Sequence, residues 1–172
     1  TFEKHFPRWD SGFVTIYNTI QMKITKGSKI PAFTLKDQDG NLVNIYDLVG
    51  NKNLVVYFYP KDDTPGCTKE ACSFRDQFED FRDVGAEVIG ISADSVESHR
   101  QFAEKHRLKF RLLSDTDNQV RKTFGVPADL LGLIPGRVTY IVDKTGTVQH
   151  VFNSQFNSAR HVTEALKILK SL

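Results

Sequence analysis

At 172 residues and 40% hydrophobic content the chain fits one globular domain with a substantial core. Its formal charge of +2, from 23 basic and 21 acidic residues spread along the chain, gives no electrostatic footprint for nucleic acid or an anionic membrane, and neither partner is expected. No apolar run approaches the roughly 20 residues that span a bilayer, no basic-then-apolar secretory pattern opens the chain, and two cysteines are too few for a disulfide scaffold or a four-ligand zinc site, so a soluble protein of a reducing compartment is expected.

Residues 1–21 hold Trp9 and scattered aromatics without a period, and the Met22-Lys-Ile-Thr-Lys26 run reads as a fresh start after an extension, or after what remains of a transit or cloning segment. The rest, 22–172, reads as one domain without linker or repeat. Phe33-Thr-Leu35 and Leu42-Val-Asn-Ile45 flank the turn residues Asp37-Gln-Asp-Gly-Asn41 and predict a short hairpin. Leu54-Val-Val-Tyr-Phe-Tyr59 is an apolar run suited to a central strand buried on both faces. Pro60 ends it. Thr64-Pro65 then opens a helix predicted to run to about Arg82, with Thr64 as N-cap and Pro65 fixing the first helical φ. Ala86–Ser92 is a strand, and Asp94 with Glu97 has capping-box spacing for a helix through about His106. Phe110–Leu113 is a short strand; Val120 and Phe124 share a helical face that ends at Gly125, a left-handed cap, with Pro127 beyond. Arg137–Asp143 and Thr147–Phe152 form an antiparallel hairpin, and Val162, Ala165, Leu166 and Leu169 line a closing helix. Parallel crossovers with an antiparallel edge imply a three-layer α/β sandwich around a mixed sheet.

The chemistry concentrates at the start of the helix after the central strand. Cys67 lies among the unpaired N–H groups of a helix N-terminus, where dipole and donors favour negative charge and so the reactive thiolate. The stripe Cys67, Ala71, Phe74, Phe78, Phe81 turns Cys67 inward. Cys72 falls roughly 140° around the helix with its Cα about 8.6 Å from that of Cys67, beyond the usual disulfide limit of about 7 Å. The two can join only if the helix unwinds. A static disulfide, two inert thiols, and a peroxide-reactive Cys67 whose oxidised form Cys72 resolves are the three uses of such a pair; the last accounts for more of the local sequence.

Pro60-x-x-x-Thr64-x-x-Cys67 resembles the signature of the peroxiredoxins, and Cys67-Thr-Lys-Glu-Ala-Cys72 is similar to the subgroup called bacterioferritin comigratory protein or peroxiredoxin Q. The likeness runs from about Lys26 to Leu172 and includes Lys36-Asp-Gln-Asp-Gly40 and the arginine-bearing Gly136-Arg137-Val-Thr-Tyr-Ile-Val-Asp143. It implies a thioredoxin-like fold and a peroxidase for hydrogen peroxide and organic hydroperoxides. Cys67 would attack the nearer peroxide oxygen and become a sulfenic acid, with Thr64 placing its hydroxyl beside the sulfur, Arg137 favouring the thiolate and the departing oxygen, and Pro60 shielding the sulfur from water. Glu70 would orient the arginine, or simply be a surface carboxylate in the first turn. Cys72 would resolve the sulfenic acid as an intramolecular disulfide, reduced by thioredoxin or a similar dithiol, in a cycle that uses no metal, haem or flavin. A monomer is expected, in the cytoplasm or, after removal of a transit peptide, in a plastid.

Two further features and two other functions are open at this point. His99 and His106, seven positions apart, read as a solvated or partly packed pair with no cysteine or carboxylate completing a site. Leu130-Leu-Gly-Leu-Ile134 is an apolar loop that either walls a pocket or packs in the core. A thiol–disulfide oxidoreductase on the same fold would carry Cys-x-x-Cys rather than four intervening residues, and a thioredoxin-fold holdase or binding module would leave the thiols incidental.

Overall fold

The computed structural model describes residues 23–129 and 133–172. The N-terminal segment and Leu130–Gly132 of the apolar loop lie outside the described residues. In chain order the elements are β1 (Thr34–Asp37), β2 (Leu42–Asn44), a 3-10 turn (Ile45–Asp47), β3 (Asn53–Phe58), α1 (Pro65–Asp76), α2 (Phe78–Asp83), β4 (Ala86–Ser92), α3 (Val96–His106), β5 (Arg111–Ser114), α4 (Gln119–Thr123), β6 (Ala128–Asp129), β7 (Ile134–Pro135), β8 (Val138–Val142), β9 (Val148–Asn153) and α5 (Ser158–Leu169). A seven-stranded sheet in the order β2-β1-β5-β4-β3-β8-β9 organises them, with β6 and β7 forming a separate small ladder.

The sheet is mixed: β3–β4 and β4–β5 are parallel, while β1–β2, β1–β5, β3–β8 and β8–β9 are antiparallel. β3 sits between β4 and β8 with every residue buried, as its uninterrupted apolar run requires. Its side chains alternate between two cores. Val55 and Tyr57 join Phe74, Phe81, Phe102, Val162 and Ala165 under α1, α2, α3 and α5. Leu54, Val56 and Phe58 join Ile45, Val120, Phe124 and Tyr140 on the opposite face, where α4 packs. The three layers predicted from the element order are present.

Three local readings differ from expectation. The helix predicted over 65–82 is two, because Gln77 leaves helical geometry at φ −104° and ψ 18°; the apolar stripe survives the break, with Phe78 partly buried and Phe81 fully so. The cap of α3 is Ser95, whose hydroxyl accepts from Ser98 N, since the Asp94 carboxylate is occupied by Ser92 Oγ and by the Asp62 backbone N–H. Thr64 does occupy the N-cap of α1 in extended geometry, but its hydroxyl donates to Lys61 O at 3.1 Å and caps nothing. Gly125 adopts the expected left-handed conformation, φ 64°.

Candidate active site

The end of β3 and the start of α1 are joined by a tightly held loop. Asp62, almost fully buried, accepts from Tyr59 Oη (2.7 Å) and Ser98 Oγ (2.8 Å) and faces His99 Nδ1 at 2.8 Å, while His99 Nε2 donates to Leu113 O. Asp63 takes a positive φ of 55°, and its carboxylate accepts from Lys105 Nζ (2.8 Å) and His106 Nε2 (3.2 Å). Both histidines therefore have carboxylate partners, which the reading of a solvated or partly packed pair did not include; His106 is partly packed, while His99 is wholly buried, and the partners lie in a loop some 40 residues upstream that helical spacing cannot reveal. Pro60 is half-buried at the head of this loop.

Cys67 is the third residue of α1, ahead of the first helical hydrogen bond, from Thr68 N to Thr64 O. It is 2% exposed. Arg137, between β7 and β8 and itself buried, donates from Nη2 to Cys67 Sγ at 3.2 Å. The same guanidinium donates from Nε to Gln155 O (3.3 Å) and from Nη1 to the Glu70 carboxyl. A Cβ added at Gly66 would stand 3.4 Å from Arg137 Nη2, an ordinary contact distance, so the guanidinium lies directly against the helix start.

Glu70 is one turn beyond Cys67 and wholly buried, so it is not a surface carboxylate, and it pairs with the Arg137 guanidinium. Burial pushes its carboxyl up to about 8 against the pull of Arg137. His161 on α5 stands beneath it, with Nδ1 3.6 Å from Glu70 Oε1. The ring's tautomer follows from its partners: Nε2 faces the carbonyl of Ser154 at 2.9 Å and must donate, leaving Nδ1 to accept from Thr139 Oγ1 at 2.7 Å. Burial first, then Arg137, brings His161 down to about 4, so it is neutral. With His161 neutral and Glu70 holding its proton at pH 7, the charge of Arg137 is left to the sulfur.

This arrangement sets a pH dependence. The Glu70 contribution to stability is complete below its ordinary value of 4.5 and is lost as pH rises through 8; that of His161 is complete above 6.5 and is lost as pH falls through 4. Between pH 6.5 and 8 Glu70 acts without opposition from His161. Unfolding free energies of the wild-type protein from urea titrations should fall over that window with a slope approaching ~1.4 kcal/mol per pH unit, and Glu70→Gln should flatten it. An unchanged slope in the variant would assign the loss to another group.

A second arginine was not anticipated. Arg121 on α4 is buried and donates from Nη2 to Tyr59 O (2.7 Å) and from Nη1 to Gly136 O (2.9 Å), tying the carbonyls that precede Pro60 and Arg137. Asp115 accepts from its backbone N–H at 2.8 Å. Nothing in the residues around Arg121 sets it apart from its exposed neighbour Lys122. Gly136 is equally constrained, since a Cβ there would sit 2.2 Å from Pro127 O, the carbonyl its own N–H bonds at 2.9 Å. Gly136→Ala should therefore cost about 1–3 kcal/mol by forcing that contact apart, measured as a lowered urea midpoint; wild-type stability would contradict the packing.

Cys72 lies on another side of α1, half-buried, and both cysteines are free thiols in a continuous helix. Its Sγ is 3.9 Å from His106 Nδ1. Leu133, at the end of the apolar loop, is 83% exposed. Among the described residues no three His, Cys, Asp or Glu side chains converge as a metal-binding group.

Comparison with known proteins accords with this geometry. The model of the AhpC/TSA family matches residues 26–151. Peroxiredoxin Q, chloroplastic, of Sedum lineare is 58% identical over 155 residues, covering 90% of this chain and 83% of the relative. The protein of the same name from Populus jackii is 55% identical over 158 residues, 92% of this chain and 74% of the relative. The crystal structure of peroxidoxin BcpB from Mycobacterium tuberculosis superposes with a TM-score of 0.80 at 38% identity, covering 87% of this chain and 98% of that one.

Proposed function

The chain belongs to the AhpC/TSA family, and from that premise we propose a thiol peroxidase in which Cys67 reduces hydrogen peroxide and organic hydroperoxides and Cys72 regenerates it. The observation that carries this reading is the Arg137 donor 3.2 Å from Cys67 Sγ, beside a buried Glu70 that keeps its proton at neutral pH. Cys67, as thiolate, attacks the hydroxyl-bearing oxygen of the peroxide; the O–O bond breaks, Cys67 becomes S–OH, and the departing hydroxide or alkoxide takes a proton from solvent. Arg137 and the N–H groups at the head of α1 face the charge that shifts from sulfur to oxygen. Thr64 uses its one proton on Lys61 O, which leaves its oxygen lone pairs to accept from a peroxide O–H. Pro60, half-buried just past the end of β3, is assigned the shielding of the sulfur from water.

Cys72 then attacks the sulfenic sulfur. About 8.6 Å separates the two Cα atoms in an intact helix, so α1 opens for the disulfide to form and recloses when thioredoxin or a similar dithiol reduces it. With both cysteines in one helix a monomer suffices for the cycle. The chloroplastic names of the relatives favour a plastid over the cytoplasm.

Mixing the reduced protein with a slight molar excess of hydrogen peroxide in stopped flow tests the reading. Rapid loss of one equivalent per chain, with intact mass falling by two hydrogens, is the expected result. Slow peroxide loss with preferential reduction of protein disulfides would make the chain an oxidoreductase, and neither activity would make it a binding module.

A further inference from the structure

We propose that His106 is the general base that ionises Cys72 for the resolving step, oriented for that task by Asp63. The inference rests on the reading of Cys72 as the resolving cysteine. His106 closes α3 with its side chain 18% exposed, and its ring meets Phe102 edge-on at 4.9 Å between centroids. Asp63 is a carboxylate: hydrogen bonds from Lys105 and then His106 hold it below the usual carboxylate range. A carboxylate only accepts, so the 3.2 Å contact with His106 Nε2 puts the proton on Nε2. In the singly protonated ring this leaves a bare lone pair on Nδ1, and that nitrogen faces Cys72 Sγ at 3.9 Å. Carboxylate, imidazole and thiol thus stand in the order that activates a nucleophile.

The surroundings keep this alignment. Arg75, one turn after Cys72, donates from Nη1 to His106 O at 2.7 Å and clamps the end of α3 against α1, while its Nε and Nη2 bond Asp76. The charged groups linked to this cluster are Arg75 and its partner Asp76 from α1, Asp63 from the loop and Lys105 from α3. Cys67 points elsewhere, roughly 140° around the helix, so His106 serves only Cys72. In the step, Nδ1 takes the Cys72 proton and the imidazolium stays paired with Asp63. As α1 opens, the Cys72 thiolate attacks the Cys67 sulfur, an S–S bond forms and the S–O bond breaks. The hydroxide leaves as water on taking a proton, and the imidazolium returns its own to solvent, so the balance is one thiol and one sulfenic acid to one disulfide and one water.

The test is a single turnover of the full chain with one equivalent of hydrogen peroxide, quenched and read by intact mass, so that sulfenic acid and disulfide are counted separately. His106→Ala should slow the conversion of sulfenic acid to disulfide about 100-fold, the lower range for general-base catalysis, and added imidazole should restore it in proportion to its neutral form. Asp63→Asn, which tolerates the positive φ, should slow the same phase less. In a Cys67→Ser background, His106→Ala should also slow alkylation of Cys72. A wild-type or faster resolving phase in His106→Ala, or a slow one that imidazole leaves slow, would overturn the proposal, the last result showing His106 to be a structural clamp. Sustained turnover by Cys72→Ser would instead overturn the underlying reading of Cys72.

Discussion

Arg137→Met should slow oxidation of Cys67 by hydrogen peroxide by about 100- to 1,000-fold, the usual effect of removing one donor aimed at developing charge in a buried site. Methionine keeps much of the apolar stem while removing the bonds to Cys67 Sγ, Glu70 and Gln155 O. The fold should tolerate the change at pH 7, because a Glu70 that titrates near 8 is left as a buried neutral acid rather than a stranded anion. Above pH 8 the same variant should lose stability faster than wild type. Arg137→Lys should recover only part of the rate, since one ammonium cannot reproduce a fork that spans sulfur and carboxyl together. Stopped-flow peroxide consumption, with circular dichroism to check the fold, measures both. A rate within threefold of wild type in Arg137→Met would remove the guanidinium from the chemistry.

Cys72→Ser should reduce one equivalent of peroxide per chain and then stop, lowering steady turnover with a dithiol reductant by at least about 100-fold while the first-turnover rate stays near wild type. The substitution is nearly isosteric at a half-buried position of a helix that remains intact. The sulfenic acid on Cys67 then accumulates and is trapped by dimedone, or passes to sulfinic acid when peroxide is in excess. The stability of α1 is tied to this step: opening must compete with further oxidation, and Gly66, Thr68 and Ser73, none of them strong helix formers, lower the cost of opening.

What could be read from the residues follows the range over which each interaction acts. β3 and β4 announce themselves as apolar runs, and Gly125 and Pro65 mark helix ends through local backbone geometry that no distant contact changes. Asp94 and Ser95 are both good caps, and the choice between them is made by the Asp62 N–H, which reaches Asp94 across the fold. Gln77 carries no breaker signature, so the split between α1 and α2 had no sign in the chain. At the site, the helix start identified Cys67 from the local pattern, whereas Arg137 is 70 positions away and was reached only through family resemblance. Glu70 illustrates the deeper limit. A glutamate in a first helical turn ordinarily faces water; its burial depends on Arg137 from the link between β7 and β8 and His161 from α5 arriving over the same face. Arg121, Thr139 and His161 likewise gain their roles from elements brought together by sheet order, which no spacing along the chain encodes.

The central claim is that the Cys67 sulfur, held by the Arg137 guanidinium at the head of α1, is a specialised nucleophile toward peroxide oxygen. The second-order rate constant of reduced wild-type protein with hydrogen peroxide at pH 7, set beside that of free cysteine and of Cys67→Ser under the same conditions, tests it directly. The account predicts a wild-type constant at least about 1,000-fold above free cysteine, consistent with combined positioning and electrostatic effects, and no such phase in Cys67→Ser. A wild-type constant equal to that of free cysteine, or a fast phase that survives the loss of Cys67, would contradict it.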